Sequence, residues 1–124
     1  MKRELTLTHD PITETAPQMS EGMGAVVTFH GVVRGIEEGE AIAAIDYEAN
    51  EEMAQYQFGL IFNAIEERWP VESVRLVHRL GVVPANEPSL RVEIMAPHRA
   101  EAFEACQFLI NEMKDKVPIW KRPQ

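Results

Sequence analysis

The chain has 124 residues, 45% of them apolar, which fits one globular domain (residues 1–124) with a modest core and excludes a disordered chain. A formal net charge of −8 argues against general nucleic-acid binding, and the single cysteine, Cys106, rules out an intrachain disulfide. No run approaches the ~18 apolar residues of a membrane span, and the start Met1-Lys2-Arg3-Glu4 lacks the apolar core of a signal peptide, so a cytoplasmic protein is expected.

Residues 4–8 alternate and predict a short strand, and residues 9–23, with Pro11, Pro17, Ser20 and Gly22, predict a loop. Gly24 to Val33 is β-branched and mostly apolar, which predicts a central strand, with Gly31 marking a bulge or a close backbone approach. Arg34-Gly35 ends it, and Ile36 to Glu40 reads as a polar loop. Ala41 to Ala49 alternates around Ile42, Ile45 and Tyr47 as a strand. Asn50 is a good N-cap, and Glu51 and Glu52 complement the dipole of a helix running to about Arg68, whose buried stripe is Ala54, Phe58, Ile61, Phe62 and Ile65. Trp69-Pro70 stops that helix.

Ser73 to Leu80 predicts a strand with Val74, Leu76, His78 and Leu80 on one face, and a connection through Pro84 and Pro88 leads to a strand from Leu90 to Ala96. Pro97-His98-Arg99 opens a second helix with an apolar stripe of Ala102, Phe103, Cys106, Leu109, Ile110 and Met113. An extended tail follows from Val117. The order β-β-β-α-β-β-α-β predicts an α+β domain with a largely antiparallel sheet and two main helices.

None of the four histidines (His9, His30, His78, His98) has metal-ligand spacing, so no metal and no cofactor is expected. The acidic pairs Glu51/Glu52 and Glu66/Glu67 lie at helix ends and read as solvated, and Cys106 reads as a small buried hydrophobe. The basic residues are more informative. Four of the twelve (Lys114, Lys116, Lys121, Arg122) fall within nine positions against Asp115 alone, a local cationic patch that suits a small anionic ligand. His98 and Arg99 at a helix N-terminus can join backbone N–H groups on a phosphate or carboxylate. Arg34 at a strand end beside a flexible loop is a third candidate ligand contact. Lys114 projects beside Phe103 and Ile110 on the flank of the apolar stripe. Either its stem packs while its ammonium snorkels to water, or it is partly desolvated and becomes a better proton donor or nucleophile. Phe108 projects away from the main stripe, toward a second element or subunit.

Taken in order, Phe29-His30-Gly31-Val32-Val33-Arg34, Tyr47-Glu48-Ala49, Met53-Ala54, His78-Arg79-Leu80-Gly81, His98-Arg99, Ala102-Phe103-Glu104-Ala105, Lys114 and Pro118-Ile119-Trp120-Lys121-Arg122 are similar to the large, catalytic subunit family of molybdopterin synthase, across about residues 24–122. The resemblance implies an α/β-hammerhead fold with an additional small antiparallel sheet. It implies a sulfurtransferase that converts cyclic pyranopterin monophosphate to molybdopterin by building a dithiolene. The sulfur would come from the C-terminal thiocarboxylate of a small ubiquitin-like subunit ending in Gly-Gly. It further implies a homodimer within a two-plus-two heterotetramer, with a pocket near the dimer interface that draws residues from both copies. By position, Lys114 and Lys121 match the family's catalytic lysines, and Arg34, His98 and Arg99 match its anion-binding group, with Arg122 beside them. Neither nucleic acid nor membrane is an expected partner.

The chain departs from the family pattern at Pro123, where many relatives carry an acid, at Asn50, which replaces a common tyrosine, and in the turn Pro84–Pro88, which lacks the usual glycine. None of these touches the cationic set. A reading of a different class is a non-catalytic α+β module that holds a phosphorylated metabolite. Arg34, His98 and Arg99 serve both readings; Lys114 together with the Pro-Ile-Trp-Lys tail favours catalysis.

Overall fold

The computed structural model describes residues 1–124 throughout. Four strands form the large sheet: β1 (Lys2–Thr8), β2 (Ala25–Val32), β6 (Ser73–Arg79) and β8 (Pro88–Ala96), in the order β1-β6-β8-β2. Only the β1–β6 pair is parallel. A two-stranded hairpin, β3 (Ile36–Glu37) with β4 (Glu40–Ala41), stands apart. A second sheet has the order β7-β5-β9, from β5 (Ala44–Ala49), β7 (Gly81–Pro84) and β9 (Ile119–Pro123), and is antiparallel. Helices α1 (Glu51–Arg68) and α2 (Arg99–Lys116) complete the expected α+β arrangement of two main helices and an additional small sheet.

Alternation in the strands decides which face of the large sheet the helices cover. Val74 and Leu76 of β6 and Val92 and Ile94 of β8 are fully buried on one face. They share a core with Phe58, Ile61, Phe62 and Ile65 of α1 and Ala105, Cys106, Leu109 and Met113 of α2. The buried stripe of α1 is as its periodicity predicts, and the Asn50 side chain caps it by accepting from the Met53 N–H at 3.2 Å. The stripe of α2 differs: Phe103 is exposed and Ala105 takes its place inside. Ala102 and Ala105 are both fully buried, and two small residues let the helix lie close to its neighbours, which rotates Phe103 outward.

Three other expectations need correction. The strand at 25–32 is an edge strand rather than central, with Phe29 and Val32 partly exposed, because an apolar run reports what its faces touch and not how many strands flank it. The connection after Leu80 contains β7, a strand too short to announce itself. Ile36 to Ala41 is a hairpin, turned by Glu38 and Gly39 at positive φ. The bulge expected at Gly31 is present, with a register shift between Gly31 and Val32. A Cβ on Gly31 would sit 3.2 Å from that of Leu90. Phe108 meets a second element of its own chain: it packs edge-on against Trp69 (5.3 Å between ring centroids) with the Arg68 guanidinium 4.8 Å above its ring.

The two sheets are joined where β6 leaves the large sheet. Arg79 ends β6, and Gly81, at φ +80°, turns the chain into β7 of the small sheet. Residues just before that turn therefore sit at the junction of the sheets.

Candidate active site

A cleft of about 540 Å³ opens at this junction. The end of β2 supplies Phe29 and Val32, β5 supplies Ile45 and Tyr47, and β9 supplies Ile119 and Lys121. Met113, Lys114 and Val117 come from the C-terminal end of α2, and His78 from the end of β6. Arg34 stands just after β2 and Glu37 on β3. About half of the lining is apolar, and the cationic groups Arg34, Lys114 and Lys121 face the single carboxylate Glu37. On a chain of net charge −8 this is a local reversal of sign.

Each cation reaches the cleft for a local reason. Lys114 lies in the last turn of α2, where the negative end of the helix dipole favours a positive charge. One residue earlier, Met113 is buried, so the backbone is held while the exposed lysine swings over the mouth. Lys121 shares its strand face with Ile119, two residues before it, and both line the cleft. The ammonium groups of Lys114 and Lys121 make no ion pair or hydrogen bond within the chain, whereas that of Lys116 is tied to Glu112 at 3.0 Å. Arg34 holds Glu37 at 3.0 Å with its side chain 73% exposed, so it is available to an anion that outcompetes the carboxylate.

The other expected contacts lie elsewhere. Arg122 alternates to the far face of the small sheet, where it pairs with Glu48 at 3.0 Å. His98 is the N-cap residue of α2 and Arg99 its first residue, with the His98 ring facing Glu101 at 3.4 Å. At ~1.5 Å per residue, the length of α2 separates them from Lys114 by roughly 20 Å or more. One chain therefore gathers Arg34, Lys114 and Lys121 but not His98, Arg99 or Arg122. Glu66 is not merely solvated: the N-terminal amine and Arg3 both bind it, which holds its carboxyl below the usual range.

Sequence reading did not single out His78 as a cleft residue. It is buried, its Nδ1 lies 2.8 Å from the Arg79 carbonyl oxygen, and Tyr47 packs edge-on against its ring at 5.2 Å. Desolvation pushes its pKa below the ordinary value of 6.5. The available signal was a polar residue in alternation with Val74 and Leu76 on the buried face. No group of three or more His, Cys, Asp or Glu side chains is placed to hold a metal ion. No helix is long and apolar enough to cross a membrane.

Residues 5–116 match the family model described as "MoaE protein". The molybdopterin synthase catalytic subunit of Thermoplasma volcanium is 38% identical over 99 residues, 80% of this chain and 72% of that protein. The one from Rattus norvegicus is 40% identical over 99 residues, again 80% of this chain but 50% of its own length, so the chain spans about half of the longer curated relatives. The X-ray crystal structure of molybdopterin synthase from Staphylococcus aureus superposes with a TM-score of 0.86 at 31% identity, covering 98% of this chain and 89% of that one. With the matched region, the identities and the fold in agreement, the chain belongs to the MoaE protein family, that of the molybdopterin synthase catalytic subunits.

Proposed function

We propose that this protein is the catalytic subunit of a molybdopterin synthase, a cytoplasmic sulfurtransferase acting as one domain over residues 1–124. It converts cyclic pyranopterin monophosphate to molybdopterin with sulfur from the C-terminal thiocarboxylate of a small, ubiquitin-like Gly-Gly subunit. The observation that carries this reading is the pair of unpaired lysines, Lys114 and Lys121, brought to one cleft from different elements. A binding module needs cations for a phosphate, but it has no need of two further free ammonium groups in the same cleft.

The chemistry follows from the lining. A Gly-Gly tail has no side chains to anchor, so a cleft that combines apolar lining with Arg34, Lys114 and Lys121 suits its backbone and its anionic terminus. When sulfur is transferred, negative charge builds on the acyl oxygen and on departing oxygens, and Lys114 and Lys121 stabilise it and supply protons. Arg34 holds the substrate's phosphate at the cleft mouth. His98 and Arg99 complete that anion site from a second copy of the chain, because α2 carries them away from their own Lys114. The assembly is then a homodimer with one small subunit per copy. Arg122, paired with Glu48, acts on the substrate only if the arriving tail draws it from that partner.

The test is single-turnover conversion of the precursor with thiocarboxylated small subunit supplied. Removal of the last two glycines from that subunit should abolish turnover and weaken association far less, since most of the contact area lies on the globular part. Precursor binding without conversion in the presence of an intact, charged partner would favour the non-catalytic module instead.

A further inference from the structure

The cleft's cations share one limitation: at neutral pH lysine and arginine donate protons and hydrogen bonds but accept none. Glu37 can accept, but Arg34 binds its Oε2 at 3.0 Å, and that ion pair makes the carboxylate a weaker base. The Ser89 hydroxyl is turned to the Gly31 carbonyl at 3.4 Å. The Tyr47 hydroxyl can accept a hydrogen bond but is a poor base at neutral pH, which leaves His78. The Arg79 carbonyl, 2.8 Å from Nδ1, can only accept, so Nδ1 carries the hydrogen and donates it. The lone pair of the neutral ring is then on Nε2, which has no hydrogen-bond partner within the chain. The edge-on contact with Tyr47 and the turn at Gly81 hold the ring in that orientation in the cleft wall.

Sulfur delivery from a thiocarboxylate requires such an acceptor. This step rests on the sulfur-transfer reading above. Once the thiocarboxylate sulfur has displaced an oxygen from a substrate carbon, the C–O electron pair leaving with that oxygen and a proton supplied to it, the sulfur is bonded to both the substrate and the acyl carbon of the tail. Leaving the sulfur on the substrate requires water. The water oxygen forms a bond to the acyl carbon, the acyl C–S bond breaks, and its electron pair departs as a substrate thiolate. One water proton goes to a base, and the carboxylic acid so formed loses its proton to solvent. Lys114 and Lys121 steady the oxyanion and the thiolate as ammonium groups.

We propose that His78 is the base of this hydrolysis, with Nε2 accepting the proton of the attacking water. The charged and titratable groups around it are Arg34, Lys114 and Lys121 in the cleft, Glu37 tied to Arg34, Tyr47 on β5, Arg79 on its own strand and His9 against Gly81. The three cleft cations disfavour a lasting imidazolium, so the proton passes on to solvent and the base is restored.

The experiment follows the small subunit by mass spectrometry during a single turnover of the full-length protein with thiocarboxylated partner and cyclic pyranopterin monophosphate. His78→Asn keeps an N–H for the Arg79 carbonyl and lacks the Nε2 lone pair. It should accumulate a covalent adduct between the tail and the pterin, with adduct breakdown slowed ~10²–10⁴-fold. Imidazole added to His78→Ala should restore part of that rate. If both variants fail to fold, the wild-type protein decides: adduct breakdown should hold steady from pH 8 to about 6.5 and slow below it, following the depressed titration of the ring. Folded His78→Asn with normal turnover and no adduct, or a wild-type rate that does not fall on acidification anywhere in the range where the protein stays folded, overturns the proposal while leaving sulfur transfer intact. Wild-type protein that forms neither adduct nor product overturns the sulfur-transfer reading, and this proposal with it.

Discussion

Two clusters of charge lie on this molecule, and they are built in opposite ways. On the face of the large sheet turned away from the helices, Arg75 stands opposite Glu93 and Arg91 opposite His30 across paired strands. Glu93 is 1% exposed, takes Arg75 at 2.9 Å and lies 3.9 Å from Arg91. The segment between β1 and β2 folds over this face, so that Glu14 meets His30 and Arg91 while Thr15 accepts from both arginines. Nearly every charge there has an opposite at contact distance. In the cleft, Lys114 and Lys121 have none. A cluster that matches its own charges fixes a loop to a sheet; a cluster that leaves cations unmatched has its counter-charge still to come. A hollow of about 400 Å³ beside the first cluster, lined by Arg3, Glu4, Arg75 and Glu93, is accordingly a weaker ligand site than the cleft.

The contrast predicts a division between variants that cost rate and variants that cost stability. Among the charge variants of the two clusters, the largest effect is expected at Lys114. Lys114→Met keeps the stem and removes the charge, and the single-turnover rate should fall by ~10²–10³ or more, as for loss of one oxyanion donor. Lys114→Arg should not rescue it fully, since a guanidinium does not give up its proton. Lys116→Ala, already paired with Glu112, should retain most activity. Near-normal turnover in folded Lys114→Met would shift the catalytic assignment to Lys121 alone.

Arg75→Met breaks the other cluster. It leaves Glu93 buried with only the longer contact to Arg91, so unfolding free energy by denaturant titration should fall by about 3 kcal/mol, the lower end for a broken buried pair. Sulfur-transfer rate per folded molecule should not change. A stable variant would mean that the cluster contributes nothing to holding the segment over residues 9–24.

Arg99→Ala should weaken precursor binding at least tenfold, as expected for loss of a charge-assisted hydrogen bond worth ~1.5–3 kcal/mol. The thermal midpoint should barely move, because Arg99 is exposed and makes no ion pair within its chain. Affinity unchanged by calorimetry would remove Arg99 from the site. Sedimentation should show a dimer at micromolar concentration without the small subunit, and a clean monomer would break the shared-site reading.

The smallest effects concern pH. His78 has a folded pKa below 6.5, so between the two values the unfolded chain binds more protons, and stability falls as pH drops below about 6.5 until the folded value is passed. Glu66 acts with the same sign at lower pH: its depressed folded pKa contributes stability above its unfolded value, lost as pH falls through the folded one. His78→Asn should flatten the first of these slopes in a thermal-midpoint series and leave the second.

Periodicity and capping by themselves determined most of the elements. The stripe from Ala54 to Ile65, the Asn50 cap, the bulge at Gly31 and the burial of Cys106 were all legible, because each depends on residues within a few positions of one another. The cationic identity of the site was legible too, in the crowding of Lys114, Lys116, Lys121 and Arg122. Which of those cations share a cleft was decided only by tertiary structure. Strand parity sends Lys121 inward and Arg122 outward, and the length of α2 parts His98 and Arg99 from Lys114. The turn at Gly81 brings His78 to the junction of two sheets, where burial and one carbonyl fix its free nitrogen. Sequence patterns carry the period of an element, whereas the meeting of side chains from β2, β5, β6, α2 and β9 depends on how those elements pack, a long-range property with no local signature.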